Sequence, residues 1–201
     1  MSAPRIIAIL RGVREHEAAA QLDALHAAGI LDAEIPLNAQ GAEAALEAAL
    51  GYAGGHMRIG AGTVLDTTAL QRVARLGAHF VLTPNLNDAV VRAAVEQGIE
   101  AVVGVATPSE AFAALAAGAP ALKVFPAASL GTGFISSLRA VLPPVPLYAV
   151  GGIDERNLAA FIAAGCDGVG LGGALYRAGQ TARQTYARAI ALQAALEVVA
   201  A

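Results

Sequence analysis

Ala121-Leu122-Lys123-Val124-Phe125-Pro126 reads as one short strand of a parallel sheet with a single charge inside it. Prolines at 120 and 126 bound the run. Its apolar residues are continuous rather than alternating, the pattern of a strand covered on both faces. Lys123 is the only lysine in the chain; every other member of the 13 Lys and Arg residues is arginine. An isolated ammonium in such a strand is expensive to bury, so it must be paired, coordinated or discharged. Desolvation lowers its pKa from roughly 10.4, and the neutral amine is a nucleophile toward carbonyl carbon. The alternative is a strand-end lysine that reaches solvent. Arginine everywhere else favours chemistry that needs an amine, because arginine cannot form a Schiff base.

Outward from this stretch, a strand followed by a helix recurs eight times. The predicted strands are Ile6–Leu10, Ala33–Leu37, Arg58–Thr63, Phe80–Thr83, Ala101–Val105, Ala121–Phe125, Leu147–Val150 and Gly168–Leu171. The helices between and after them are predicted over Glu15–Ala28, Ala42–Tyr52, Asp66–Leu76, Asp88–Gln97 and Ser109–Ala117, then from about Gly133 to Val141, Asp154–Ala164 and Thr181–Val199. Glycines such as Gly29, Gly77 and Gly98 stop several of these helices. Strands joined by helices pair in parallel through right-handed crossovers. An open sheet would leave two apolar edges exposed. The expected fold is therefore a single (β/α)8 TIM barrel over residues 1–201, compact beside the usual length of about 250 residues.

Composition narrows the function. The chain is 56% hydrophobic and 14% charged, with net charge -3. It offers neither a basic field for nucleic acid nor enough aromatics to stack bases. One cysteine, Cys166, excludes a disulfide framework and fits a reducing cytoplasm. Residues 1–10 lack the apolar core of a signal peptide, and every apolar run is interrupted before it could span a bilayer. The expectation is a soluble, oligomeric, cytoplasmic protein. His16, His26, His56 and His79 have no ligand spacing, so no metal is expected; no cofactor is expected either.

In a barrel of this kind the active site lies at the carboxyl ends of the strands. Those ends present Arg11, then Glu34 and Asn38, Thr63, Thr83 and Pro84, Thr107, Lys123, and finally two glycine pairs. The pairs, Gly151-Gly152 and Gly172-Gly173, follow strands seven and eight, whose loops often bind phosphate. Glycine lets backbone N–H groups approach an anion, and a following helix N-terminus would add favourable partial charge. Glu34 reads as a general acid/base, or as a carboxylate neutralising Arg11 or Lys123; the two are compatible. Arg11 could fork onto a substrate carboxylate, or simply lie on the surface. Glycines beside Thr63 let a ligand or neighbouring backbone come close. Phe125 and Pro126 would cap the apolar side of the pocket, or merely pack.

Five stretches taken together, Ile-Ala-Ile-Leu-Arg-Gly (7–12), Glu-Ile-Pro-Leu-Asn (34–38), Ile-Gly-Ala-Gly-Thr-Val-Leu (59–65), Leu-Lys-Val-Phe-Pro (122–126) and Ala-Val-Gly-Gly-Ile (149–153), resemble the 2-keto-3-deoxy-6-phosphogluconate and -galactonate aldolases. The similarity spans essentially the whole chain. Arg11, Asn38 and the stretch Gly172 to Gly179 resemble the galactonate branch. The resemblance implies that Lys123 is the Schiff-base lysine and Glu34 the proton shuttle. Arg11 and Thr63 would hold the pyruvate end, with Asn38, Pro84, Thr107 and Phe125 about the substrate. Gly151, Gly152, Gly172 and Gly173 would hold the phosphate. The implied reaction is cleavage of a phosphorylated keto-deoxy sugar acid to pyruvate and glyceraldehyde 3-phosphate, in a homotrimer. Two departures stand out: Gly173 where a serine is expected, and Ala127-Ala128 where relatives often carry serines. The rivals are a gluconate-type or dual-specificity aldolase, another phosphosugar barrel enzyme without the lysine chemistry, and a non-catalytic sensor of a phosphorylated ligand.

Overall fold

The structure is a computed structural model that describes residues 4–200. Eight strands, β1 (Arg5–Ile9), β2 (Asp32–Pro36), β3 (Arg58–Gly62), β4 (Phe80–Leu82), β5 (Glu100–Val105), β6 (Ala121–Val124), β7 (Leu147–Val150) and β8 (Gly168–Leu171), form one closed barrel in sequence order. Every neighbouring pair is parallel, and β8 closes on β1 with Arg5 opposite Gly168. Helices α1 (Ala18–Ala27), α2 (Ala42–Ala53), α3 (Thr67–Arg75), α4 (Asp88–Glu96), α5 (Pro108–Ala116), α6 (Ala127–Arg139), α7 (Leu158–Ala163) and α8 (Ala182–Ala200) follow the strands in turn. The expected TIM barrel is the observed one.

Two apolar layers hold it, and the strand period of two decides which side chain joins which. Ile7, Ile9, Phe80, Leu82, Val102, Ala121, Tyr148 and Val150 meet in the lumen. Ile6, Ala8, Ala33, Ile35, Ile59, Ala61, Leu122, Val124, Val169 and Leu171 face outward into the larger core beneath the helices. On β6, Ala121 faces in while Leu122 and Val124 face out, so Lys123 also faces in. The same count on β2 sends Asp32 and Glu34 inward between Ala33 and Ile35. A continuous apolar strand thus carries its charge on the lumen side.

Helices α3, α4 and α5 begin at a capping side chain. The Asp66 side chain accepts from Ala69 N, and Thr107 accepts from Glu110 N in a capping box with Pro108 at the start of α5. Three helix starts differ from the sequence reading by more than one residue. The first helix opens with a 3-10 turn over Glu15–Glu17 before α1. Helix α6 starts directly after Pro126 rather than near Gly133, and Gly131 (φ 81°, ψ 167°) kinks it. Helix α7 begins only at Leu158, because Asp154–Asn157 forms a turn in which Asn157 Oδ1 accepts from Asp154 N.

Candidate active site

A cavity of about 850 Å³ opens at the carboxyl ends of the strands. Arg11, Glu34, Thr63, Pro84, Lys123 and Phe125 line it together with both glycine pairs. Ten of the residues singled out from the sequence therefore meet at one mouth. Two do not touch it. Asn38 Oδ1 accepts a hydrogen bond from Arg11 and acts on the cavity only through that guanidinium. Thr107, read as a strand-end hydroxyl facing substrate, lies outside the cavity and spends its hydroxyl on the α5 cap. Thr83 is likewise committed: its hydroxyl, fully buried, accepts from Gly104 N at 3.2 Å.

Lys123 is 6% exposed and Glu34 3% exposed. No ion pair within 4.0 Å joins them among the described residues, and Glu34 Oε2 has no hydrogen-bond partner. Burial pushes the Glu34 carboxyl up to about 7 against the opposing pull of Lys123 and Arg11. Burial also pushes the Lys123 amine down to about 8, helped by Arg11 and opposed by Glu34. Both shifts favour the uncharged forms. At pH 7 an amine of pKa about 8 is about 10% neutral, against roughly 0.03% for an ordinary lysine. The Lys123 Nζ lies 5.5 Å from the centroid of the Phe125 ring, so its head meets an aromatic face rather than bulk water.

Backbone geometry makes room for these groups. A Cβ added at Gly62 would sit 1.4 Å from Glu34 Oε2, so β3 admits the carboxylate only because residue 62 is glycine. The next residue, Thr63, has φ 57°, a left-handed conformation that a β-branched residue rarely adopts. Gly151 and Gly152 have φ of 95° and 75°. Added Cβ atoms there would meet the Phe125 ring at 3.1 Å and the Ala128 Cβ at 2.5 Å. The first turn of α6 thus packs beneath the β7 loop, and Ala128 N donates to the Gly151 carbonyl at 3.0 Å. Asn157 Nδ2 secures the same loop from the other side, donating to the Gly152 carbonyl at 2.9 Å.

The cavity wall also holds residues that the strand-end reading missed: Ile9, Val150 and Gly170 from the lumen, and Arg156, Arg177 and Arg188 beside the glycine loops. Ile9, Val150 and Gly170 were reachable by counting inward positions along β1, β7 and β8. Arg188 gave no such signal, because it lies on α8 rather than at a strand end. Among the described residues, no group of three or more His, Cys, Asp or Glu is arranged to hold a metal ion. No helix among them is long and apolar enough to cross a membrane.

Similarity to known proteins extends over nearly the whole chain. Residues 1–192 match the family model for KDPG and KHG aldolase. The chain is 46% identical over 187 residues to 2-dehydro-3-deoxy-6-phosphogalactonate aldolase of Escherichia coli (strain K12), covering 92% of this chain and 91% of that protein. A solved structure of native KDPGal superposes with TM-score 0.96 at 43% identity, covering 100% of this chain and 98% of that one. A KDPG aldolase from Legionella pneumophila, solved with pyruvate captured at low pH as a covalent carbinolamine intermediate, superposes with TM-score 0.83 at 26% identity, over 98% of this chain and 94% of that one.

Proposed function

The chain belongs to the KDPG and KHG aldolase family, and we propose that it is a class I aldolase that cleaves 2-dehydro-3-deoxy-6-phosphogalactonate to pyruvate and glyceraldehyde 3-phosphate. One observation carries this reading above the others. The only amine-bearing side chain of the protein is buried in the cavity wall with a lowered pKa, in the same cavity as an unpartnered carboxylate. Neutral Lys123 adds to the keto carbon, and the carbinolamine loses water to give an iminium. The bond between the third and fourth carbons then breaks, and its electron pair flows into the iminium to leave an enamine. Glu34 takes the proton of the hydroxyl on the fourth carbon as that carbon becomes the aldehyde. The protonated Glu34 next delivers a proton to the third carbon of the enamine, and hydrolysis frees pyruvate and Lys123. A carboxyl with pKa near 7 suits both duties, since it gives up and takes back a proton at little cost.

Arg11, braced by Asn38, and Thr63 serve the carboxylate of the pyruvate half, while Phe125 and Pro84 wall its apolar side. The glycine pairs receive the phosphate. Large exposed apolar side chains such as Val95 and Phe112 support assembly into a homotrimer, and the free buried thiol of Cys166 supports a cytoplasmic setting. The decisive experiment is borohydride reduction in the presence of pyruvate, followed by mass analysis. With one lysine in the chain the adduct has one side-chain destination, Lys123. Absence of an adduct there overturns the aldolase reading in favour of a phosphosugar isomerase or sensor. Comparing kcat/KM for the galactonate and gluconate epimers tests the substrate; preference for gluconate would overturn that assignment and leave the Schiff base standing.

A further inference from the structure

On the wall that carries the second glycine pair, two arginines converge on one backbone oxygen. Arg177 Nε donates to the Gly173 carbonyl at 3.2 Å. Arg188 Nη1 donates to the same oxygen at 3.2 Å and to the Ala174 carbonyl at 3.5 Å. The two arrive from different elements, Arg177 from the loop after β8 and Arg188 from α8. Among the described residues neither has a carboxylate within 4.0 Å. The third guanidinium on this wall, Arg156, is already held by Asp154. Glu155 lines the cavity as well but pairs with neither Arg177 nor Arg188.

Like charges gathered on one acceptor repel, and a carbonyl dipole offsets only part of that repulsion. Each guanidinium has five N–H donors and spends few of them here. What the arrangement lacks is an anion with several acceptor oxygens. Gly173 points the same way independently. Its φ is not positive and an added Cβ would meet nothing within 4 Å, so neither strain nor crowding explains the absence of a side chain. Gly173 and both arginines line the same cavity. Helix α7 offers no substitute source of charge, because it is six residues long and starts beyond the Asp154–Asn157 turn.

We propose that Arg188, together with Arg177, is the cationic half of the subsite for the terminal phosphate monoester, and that this pair sets the preference for phosphorylated over unphosphorylated keto acids. The inference rests on the aldolase reading of the same cavity. It assigns the charge that the glycine N–H groups alone do not bring, and it makes Arg188 a specificity residue supplied by the last helix. Bidentate geometry suits guanidinium to phosphate oxygens.

The test compares wild type with R177Q/R188Q. Glutamine keeps a donor toward the Gly173 carbonyl and deletes the charge. Inorganic phosphate is titrated by calorimetry without substrate, and kcat/KM is measured for the 6-phosphorylated keto acid and its unphosphorylated counterpart. Phosphate affinity is expected to weaken at least tenfold and the kcat/KM ratio to fall at least tenfold, with R188K restoring part of both in an otherwise wild-type background relative to R188Q. Phosphate affinity within twofold of wild type in the double variant overturns the proposal, as do an unmoved ratio and a wild type that binds no phosphate. Should the double variant fail to fold, R188Q on half-exposed α8 carries the same comparison. The underlying reading fails separately: wild type that forms no pyruvate adduct sinks the aldolase, while the phosphate titration still decides the arginines.

Discussion

Asp32 and Glu34 sit two residues apart on β2 and face the same lumen, yet they end in opposite electrostatic settings. Asp32 belongs to the floor of the barrel. It accepts from Arg5 Nε at 2.8 Å and Arg5 Nη2 at 2.6 Å, and Arg58 stands 3.5 Å away. Glu100 accepts from the same two arginines, Arg5 also donates to Tyr148 Oη at 3.1 Å, and both guanidiniums lie over the Phe80 ring. Burial opposes charge there too, but the hydrogen bonds win: Arg5 is held above its ordinary pKa by Asp32, and Glu100 below its own by Arg58 and Arg5. At the mouth burial wins instead, and Glu34 and Lys123 drift toward neutrality. The floor spends its charges on one another. The mouth keeps its charges unspent, which is the condition for using them on a substrate.

The largest effect should come from Lys123→Met. Turnover is expected to fall on the order of 10⁴ or more, because removing a nucleophile removes the whole covalent route. The borohydride adduct vanishes with it. Stability should move the other way, with Tm rising on account of about 1–2 kcal/mol, since an unpaired buried amine gives way to a well-matched apolar side chain. A lower Tm in thermal unfolding would break the comparison, because it would mean that the mouth is tied together as the floor is.

Glu34→Gln comes next, with turnover reduced about 10²–10⁴-fold. Ionised Glu34 raises the Lys123 pKa, so its removal should move the apparent pKa of pyruvate-adduct formation below about 8. The stability sign can be worked out as well. The Glu34 pKa is raised from 4.5 to about 7 on folding, so between those values the native state binds the extra proton. Wild-type stability therefore loses ground as pH rises through that window. The Tm advantage of Glu34→Gln should grow from pH 4.5 to 7, a trend read from melting curves of the two proteins at matched ionic strength.

Asp32→Asn probes the other end. Leaving Arg5 and Arg58 with Glu100 as their one shared carboxylate should cost about 3 kcal/mol, read as a lower denaturant midpoint. Turnover of the folded protein should stay within about twofold of wild type, since distant sites act independently. Glu100 adds a pH signature of opposite sign to that of Glu34. Its depressed pKa contributes stability that is present above the ordinary carboxylate value and lost as pH falls through the folded one. An Asp32→Asn variant that kept its stability but lost turnover would reverse the roles of the two ends.

Much of this was legible in the chain. Arg5, Asp32, Arg58 and Glu100 each open a strand, so a charge just before an apolar run marks the floor as plainly as Lys123 within one marks the wall. Strand order, the closed barrel and the meeting of Lys123, Glu34, Arg11, Thr63 and the glycines followed from periodicity and the rule that sites lie at strand ends. Thr107 was misread because the same threonine that ends a strand can cap the next helix, and Pro108 and Glu110 right after it favour the cap. The early start of α6 was hidden by Gly131, which looks like a loop residue and is a kink. Arg188 was invisible because nothing in a helix sequence says which loop lies across from it.

Gly173 yields the smallest predicted effect and the finest test of the mouth. The sequence resemblance leads one to expect a serine there, and the structure leaves space for one: an added Cβ meets nothing within 4 Å, and φ is not positive. Arg177 and Arg188 bind its carbonyl, which a side chain does not displace. Gly173→Ser should therefore fold as wild type does and place a hydroxyl beside the arginine pair. One added hydrogen bond to phosphate is worth about 0.7 kcal/mol, roughly threefold in the Kd of inorganic phosphate. The gain should shrink when Arg177 and Arg188 are glutamines, because the hydroxyl then has no anchored anion to reach. A serine that strengthens phosphate binding equally in both backgrounds would separate the glycine loop from the arginines, and the mouth would have two anion contacts rather than one built from both.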